Sequence, residues 1–279
     1  MPQKKLLLLY HKGGIMKKSL KIALLSLALV PCAFLFVGCG QDQLATEAKV
    51  NTTGNYQAAS QQQFDTYVAK DDVNVSLNGY RFTMKTTASS SLQGSVETTT
   101  NGIIKKTANG GVEAAFKVTA GSQTQMSMYI KDGYVYMEAE YHGNTIKTKT
   151  KMDVDKDFLE DLGQTGVGDV QEIMDSLKKM GKLDIQCSVE GNHVKYHFST
   201  DEADLSQLLD VSTKVLGSNF NCYFVFDNNM LTGAKLTFNY KTSNFEHLGD
   251  ASISSDITME KFDGKINFPK LDGYTEASL

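Results

Sequence analysis

The sequence predicts an α+β fold: a curled antiparallel sheet of roughly 11 strands, a half-open β-barrel, with helices covering its concave apolar face. Three observations predict it. From Asp72 to Lys151 apolar and polar residues alternate with period two, and Asn-Gly or Asp-Gly pairs recur about every ten residues. The stretches 168–180 and 201–216 break that period with apolar stripes at helical spacing. Strand-like runs then resume toward the C-terminus, and no linker divides residues 64–270. A sheet of that size twists and curls. The striped helices must bury their apolar sides, and the greasy face of the sheet is the surface on offer.

The chain opens on a processing signal. The run Ile22–Val37 is apolar and follows the basic cluster Lys17-Lys18-Ser19-Leu20-Lys21. It closes in Leu35-Phe36-Val37-Gly38-Cys39, small residues leading into a cysteine. That order is the one of a bacterial lipoprotein signal peptide, with Phe36 where leucine is commonest in the lipobox. Residues 16–38 are expected to be removed, leaving Cys39 as a diacylglyceryl, palmitate-type anchor on the extracytoplasmic face of the cell membrane. At about 16 residues the run is shorter than the roughly 20 that span a bilayer. Residues 1–15 put Leu6–Leu9 and His11 ahead of a complete signal, and read as a misread leader before a start at Met16. Residues 39–63, rich in Gln, Ala, Thr, Ser and Asn, are expected to form a flexible tether. Its end enters a short helix with Phe64, Tyr67 and Val68 on one side. Residues 64–279 are expected to form a single domain.

Charge narrows the partners. Removing residues 1–38 takes away six of the 28 basic residues and none of the 32 acids, leaving a balance of −10. Such a surface repels phosphate backbones, so nucleic acid is excluded as a partner. Arg81 is the sole arginine, and guanidinium clusters for phosphate recognition are therefore missing. Cys187 and Cys222 both fall in strand-like runs with Val194–Ser199 between them. Two strand spacings of about 4.8 Å exceed the Cα separation of about 7 Å that a disulfide allows, so two free thiols are expected.

The strands read in order. Val73, Val75 and Leu77 alternate ahead of Asn78-Gly79, and Tyr80, Phe82 and Met84 follow. Asn101-Gly102 is expected to separate Ser95–Thr100 from Ile103–Lys106. Further turns are expected at Asn109-Gly110-Gly111, Asp132-Gly133 and Gly143-Asn144. Met126, Met128, Ile130, Val135, Met137 and Ala139 share one face; Thr, Lys, Glu and Ser occupy the other. The first helix carries Val170, Ile173, Met174, Leu177 and Met180, and Gly181 stops it. Leu183–Val189 and Val194–Ser199 join through Gly191-Asn192. The second helix, Asp201 to Leu216, carries Leu205, Leu208, Leu209 and Val215. Strands at Asn219–Phe226, Leu231–Tyr240 and Ala251–Lys261 complete the sheet, and Ile266, Phe268 and Pro269 pack against it.

Catalytic and metal patterns are missing. His193 and His197 stand about 13 Å apart on a strand and cannot share a metal. Asp153, Asp155 and Asp157 begin like a calcium loop, but Phe158 and Gln164 stand where Gly and Glu are required. Glu138 and Glu140 share a wet strand face and need no catalytic role. No nucleophile elbow, phosphate loop or zinc motif occurs. Neither an enzymatic role nor a cofactor is expected.

Two segments, Tyr129-Ile130-Lys131-Asp132-Gly133-Tyr134-Val135-Tyr136-Met137 and Ile266-Asn267-Phe268-Pro269-Lys270-Leu271, complete a pattern of signal, tether, meander, helical insert and late strands. The chain resembles the LolA/LolB-like superfamily, and within it the LppX/LprG-like anchored lipoproteins. That resemblance implies a half-open sheet closed by helices over an apolar cavity, and suggests a lipid or acylated ligand. From the sheet, the expected lining is Phe82 and Met84, then Phe116, Met126, Met128 and Met137. Tyr196, Phe198 and Phe224 continue it, with Leu236, Phe238 and Ile257. From the helices come Ile173, Leu177, Leu208 and Leu209. The alternative is a non-carrier envelope interaction or assembly module whose interior is filled by its own side chains.

Overall fold

The computed structural model describes residues 48–68, 79–92, 94–121, 123–141, 144–151, 183–204, 216–241 and 250–277. The signal and Cys39, the Val73–Leu77 strand, the aspartates at 153–157 and the first predicted helix lie outside them. So do Ile173, Leu177, Leu208 and Leu209.

Among the described residues one sheet of 13 strands organises the chain, two more than the rough count expected. In chain order these are β1 (Gln57–Ala58), β2 (Gly79–Ser90), β3 (Gly94–Lys106), β4 (Val112–Ala120), β5 (Gln123–Lys131), β6 (Tyr134–Tyr141) and β7 (Asn144–Lys151). They continue with β8 (Asp184–Glu190), β9 (His193–Asp204), β10 (Leu216–Asp227), β11 (Met230–Lys241), β12 (Asp250–Lys261) and β13 (Thr275–Glu276). A single helix, α1 (Gln61–Val68), is found among the described residues. The spatial order is β1-β8-β9-β10-β11-β12-β2-β3-β4-β5-β6-β7-β13. Two meanders are thus stitched together by the β12–β2 pair, which runs in register from Ala251↔Ser90 to Lys261↔Tyr80. All pairs are antiparallel except β13 on β7.

The extra strands are two-residue pieces near the chain ends. β1 caps the β8 edge and β13 the β7 edge, which blunts two rows of unpaired backbone groups.

The turn chemistry holds at Asp132-Gly133, where φ is 52° and 75°, the left-handed pair that a tight hairpin needs. The β10–β11 hairpin uses Asn228 and Asn229 (φ 49° and 62°) in the same way. Asn101-Gly102 is not a turn. β3 runs straight through it, Asn101 pairing with Thr83 and Gly102 with Phe82. Thr83 Oγ1 donates to Asn101 Oδ1 at 2.8 Å. A Cβ on Gly102 would overlap the Phe82 ring and lie 2.9 Å from Phe116 Cδ1. The glycine makes room for two aromatic rings, a use of Gly that its pairing with Asn concealed.

The start of the second predicted helix is corrected as well. Asp201–Asp204 extends β9, and Leu216 begins β10. Ala203 faces Gly217 across the ladder and is buried, so pairing and burial override the Asp201 capping signal. Residues 205–215 lie outside the described set.

The expected tether is partly seated. Val50 is buried and its amide donates to Asp256 Oδ1 at 3.2 Å. Lys195 Nζ donates to the Thr53 carbonyl, and Tyr56 packs edge-on against His197 and Tyr223. Residues 48–58 therefore cross the outer face of the β12–β8 half before β1 joins the edge. At the other half, residues 262–274 cross the same face: Ile266 is buried with Ile103 and Ala115, and Phe262 and Phe268 pack beside it. Tyr274 lies edge-on to Tyr136, and its hydroxyl donates to Glu138 Oε1 at 2.5 Å. The outer face thus has its own small core, which polar alternation alone did not suggest.

Candidate functional site: the inner face of the sheet

Register places every even-numbered inward residue of β2 in a row that crosses the sheet. One row runs Ile257, Met84, Thr100, Val118, Met126, Ala139 across β12, β2, β3, β4, β5 and β6. The next runs Met259, Phe82, Gly102, Phe116, Met128, Met137. In the other half, Tyr196, Phe224 and Ala234 continue the first row, and Phe198, Cys222 and Leu236 lie beside them. Phe82, Phe116, Met128, Met137 and Met259 join Tyr196, Phe198, Phe224, Leu236 and Ile257 in one apolar cluster that spans both meanders.

α1 fills one end of this face. Ser60 opens it as a capping box: Gln63 N donates to Ser60 Oγ, and Ser60 N donates to Gln63 Oε1 at 2.7 Å. Phe64, Tyr67 and Val68 are its buried residues, the three picked out by helical spacing. Phe64 stands 4.7 Å from the Tyr196 ring and 5.0 Å from the Phe198 ring, both edge-to-face. Tyr67 meets Phe226 at 5.1 Å.

Away from α1 the burial changes. Tyr196, Phe198 and Phe224 beside α1 are buried, as are Phe82, Phe116, Met128 and Phe238. Met84, Met126, Met137, Leu236 and Ile257 are only half-buried. Half-exposed methionine, leucine and isoleucine side by side leave apolar surface uncovered on the inner face. Two clefts open at the ends of the face. One, of about 450 Å³, lies between Tyr67 and the turns carrying Asn192 and Asn228, with Val194 and Tyr196 as walls. The other, of about 490 Å³, is bounded by Ser89–Ser91, Tyr240 and Ala251.

Electrostatics fit a dry face. Burial pushes the Cys222 thiol up to about 12 and raises those of Cys187 and the hydroxyls of Tyr80, Tyr196 and Tyr240 above their ordinary values. For Tyr196 the neighbouring Cys187 adds to the burial effect. Cys187 and Cys222 are both free, held apart by β9 as expected. Along the inward rows of β2–β6 and β8–β12, charged residues fall at strand ends: Lys106, Glu202, Asp204 and Lys261. The polar groups inside are hydroxyls: Thr86 Oγ1 and Ser255 Oγ lie 3.0 Å apart, and Thr100 is buried nearby. This hydroxyl band was missed from sequence because Thr and Ser read as wet-face residues.

The outer face holds the charged side chains. His193 Nδ1 lies 3.3 Å from Asp227 Oδ1, whereas His197 meets Asn221 at 3.0 Å and stacks on Tyr223 at 4.1 Å. The two histidines thus have separate partners. Glu138 pairs with Lys147 at 2.7 Å, and Glu140 accepts from Thr145. No cluster of His, Cys, Asp and Glu suited to a metal occurs among the described residues.

No family model matches the chain, and no curated protein matches it. Solved structures do. LprF from Mycobacterium bovis aligns over 78% of this chain and 100% of its own, with 11% identity and a TM-score of 0.39. A DUF1329 family protein from Desulfovibrio piger aligns over 76% of this chain and 96% of its own, with 7% identity and a TM-score of 0.28.

Proposed function

We propose that this protein is an extracytoplasmic lipoprotein, anchored through Cys39, that holds a lipid or acyl chain against the inner face of its sheet. One observation carries the reading: Met84, Met126, Met137, Leu236 and Ile257 form half-exposed apolar surface on a face whose strand interiors are free of charge. Methionine suits such a surface because its flexible thioether adapts to ligands of varied shape. Each methylene removed from water contributes roughly 0.8 kcal/mol, so a long acyl chain needs no charged contact to be retained. α1 occupies the β8–β10 end with its own aromatic side chains, so the ligand is assigned to the β11–β6 part. The predicted helical residues Ile173, Leu177, Leu208 and Leu209 are the proposed cover. This reading is one of binding without catalysis.

Full-length protein carrying Cys39→Ser, purified without added lipid, tests the proposal by native mass spectrometry and solvent extraction. Co-purified acyl ligand at near-stoichiometric amount is the expected result. A ligand-free protein that also fails to take up lipid from vesicles would favour the filled interaction module.

A further inference from the structure

Three elements meet around the cleft of about 450 Å³ at the α1 end of the sheet. They are α1 through Tyr67, the β8–β9 turn through Gly191 and Asn192, and the β10–β11 turn through Asn228 and Asn229. The volume lies within the roughly 300–1,000 Å³ of small-molecule sites. The acyl chain proposed above is assigned to the β11–β6 part, so this space has no use in that reading.

The rim is tied from several sides. Asn228 N donates to the Asn192 carbonyl at 3.1 Å, and Asn192 Nδ2 donates to Asn228 Oδ1 at 2.8 Å. Tyr67 Oη donates to Asn229 Oδ1 at 3.4 Å and joins the helix to the same turn. Gly191, Asn228 and Asn229 hold φ at 62°, 49° and 62°, as tight hairpins require. Groups held this way lose little freedom when a ligand arrives. Asn229 Nδ2 and Asn192 Oδ1 remain as a donor and an acceptor without a protein partner among the described residues.

The lining carries no Asp, Glu, Lys or Arg. Strand alternation turns Glu190, His193 and Asp227 to the outer face, where His193 and Asp227 lie 3.3 Å apart. A charged ligand would leave water here without an opposite charge to meet. The walls are apolar: Val189 is 65% exposed, and Val194 and Tyr196 continue beside it. Amides on the rim and hydrocarbon on the walls suit a molecule with hydroxyls along its edge and C–H groups on its face.

We propose that this cleft binds a neutral saccharide, its hydroxyls paired with Asn229 Nδ2 and Asn192 Oδ1 and its C–H face set against Val189. A hydroxyl both donates and accepts, so one sugar edge can satisfy both amides. The site stands independently of the lipid-holding reading, and its ligand needs no acyl chain.

The test titrates full-length Cys39→Ser protein with maltotriose, chitotriose and trigalacturonate, read by NMR shifts of the side-chain amides. Saturable binding of at least one of the two neutral sugars is expected, with the Asn192 and Asn229 amides shifting, and no binding of trigalacturonate. Asn229→Asp keeps the shape of the side chain and the acceptor for Tyr67 but removes the donor. It is expected to weaken neutral-sugar binding about five- to tenfold, the worth of one neutral hydrogen bond. Asn239→Asp makes the same exchange at the other cleft and leaves affinity unchanged. Val189→Ser, at an exposed position, also lowers affinity and decides the matter if Asn229→Asp fails to fold. Binding of neither neutral sugar overturns the proposal, as does tighter binding of trigalacturonate. Equal loss in Asn229→Asp and Asn239→Asp overturns it too, and so does unchanged affinity in Asn229→Asp or in Val189→Ser.

Discussion

At Gly102 a single hydrogen atom decides whether two rings fit. The Phe82 and Phe116 rings lie 6.1 Å apart, and they converge on the space a side chain at 102 would take. Gly102→Ala is therefore expected to destabilise the protein by about 2 kcal/mol, the scale of overpacking a dense core, read as a lower urea midpoint with unchanged slope. A midpoint within error of the parent would show that the rings simply step aside. Cys222 gives a second test at this scale. Its thiol is raised from 9.0 to about 12 by burial, so the folded protein keeps a proton that the unfolded chain releases. That contribution is whole below about pH 9 and shrinks as the pH climbs toward 12. Stability is expected to fall between pH 8.5 and 10.5, and Cys222→Ala, which cannot ionise, to fall less over that interval despite starting lower. Parallel slopes for the two proteins would locate the pH dependence elsewhere.

Among the elements, α1 holds the β8–β10 end of the face closed through one ring. Phe64 is fully buried and touches Tyr196, Phe198 and Phe224. Phe64→Ala is expected to cost about 3–5 kcal/mol, the range for emptying a buried phenylalanine site. Ile266→Ala, in the small outer core, should cost less, because Ile266 is a smaller side chain in a smaller cluster. Equal losses in thermal or urea unfolding would contradict this ranking of the two cores. The same elements explain what could be read beforehand. α1 was legible because Phe64, Tyr67 and Val68 recur at helical spacing, and the meander because period-two alternation survives in strands such as β10 and β12. Asp132-Gly133 was legible because turn chemistry and structure agree there. Asn101-Gly102 misled because the same dipeptide serves ring packing inside a strand. Asp201–Asp204 misled because acids cap helices, while here the ladder to β10 continues past them. The seating of residues 48–58 was hidden for a different reason. Polar, low-complexity sequence looks like tether, yet Val50 and Tyr56 suffice to lay it on the outer face.

For the whole molecule, seating of the N-terminal segment shortens the leash. The nine residues from Cys39 to Glu47 reach at most about 30 Å, so an acyl anchor at Cys39 would keep the sheet within that distance of the bilayer. Residues 39–279 sum to a net charge of −10, so under the proposed anchoring overall charge would offer no attraction to anionic head groups, and apolar contact would have to supply it. The inner face should then answer to a change in polarity more than the fold does. Met84 lies on the inner face between Ile257 and Thr100, and it and Ile257 are half-buried. Met84→Glu places an ionisable group where a ligand chain would lie, while the residue's partial exposure lets the carboxylate keep water in the lipid-free protein. Acyl-chain retention is expected to fall at least tenfold, with the lipid-free thermal midpoint moving by only a few degrees. Arg81→Glu, on the outer face beside Glu260, serves as the matched control, adding negative charge without entering the trough. Loss of retention in both variants would trace the effect to overall charge, and retention unchanged in Met84→Glu would move the ligand off this row altogether.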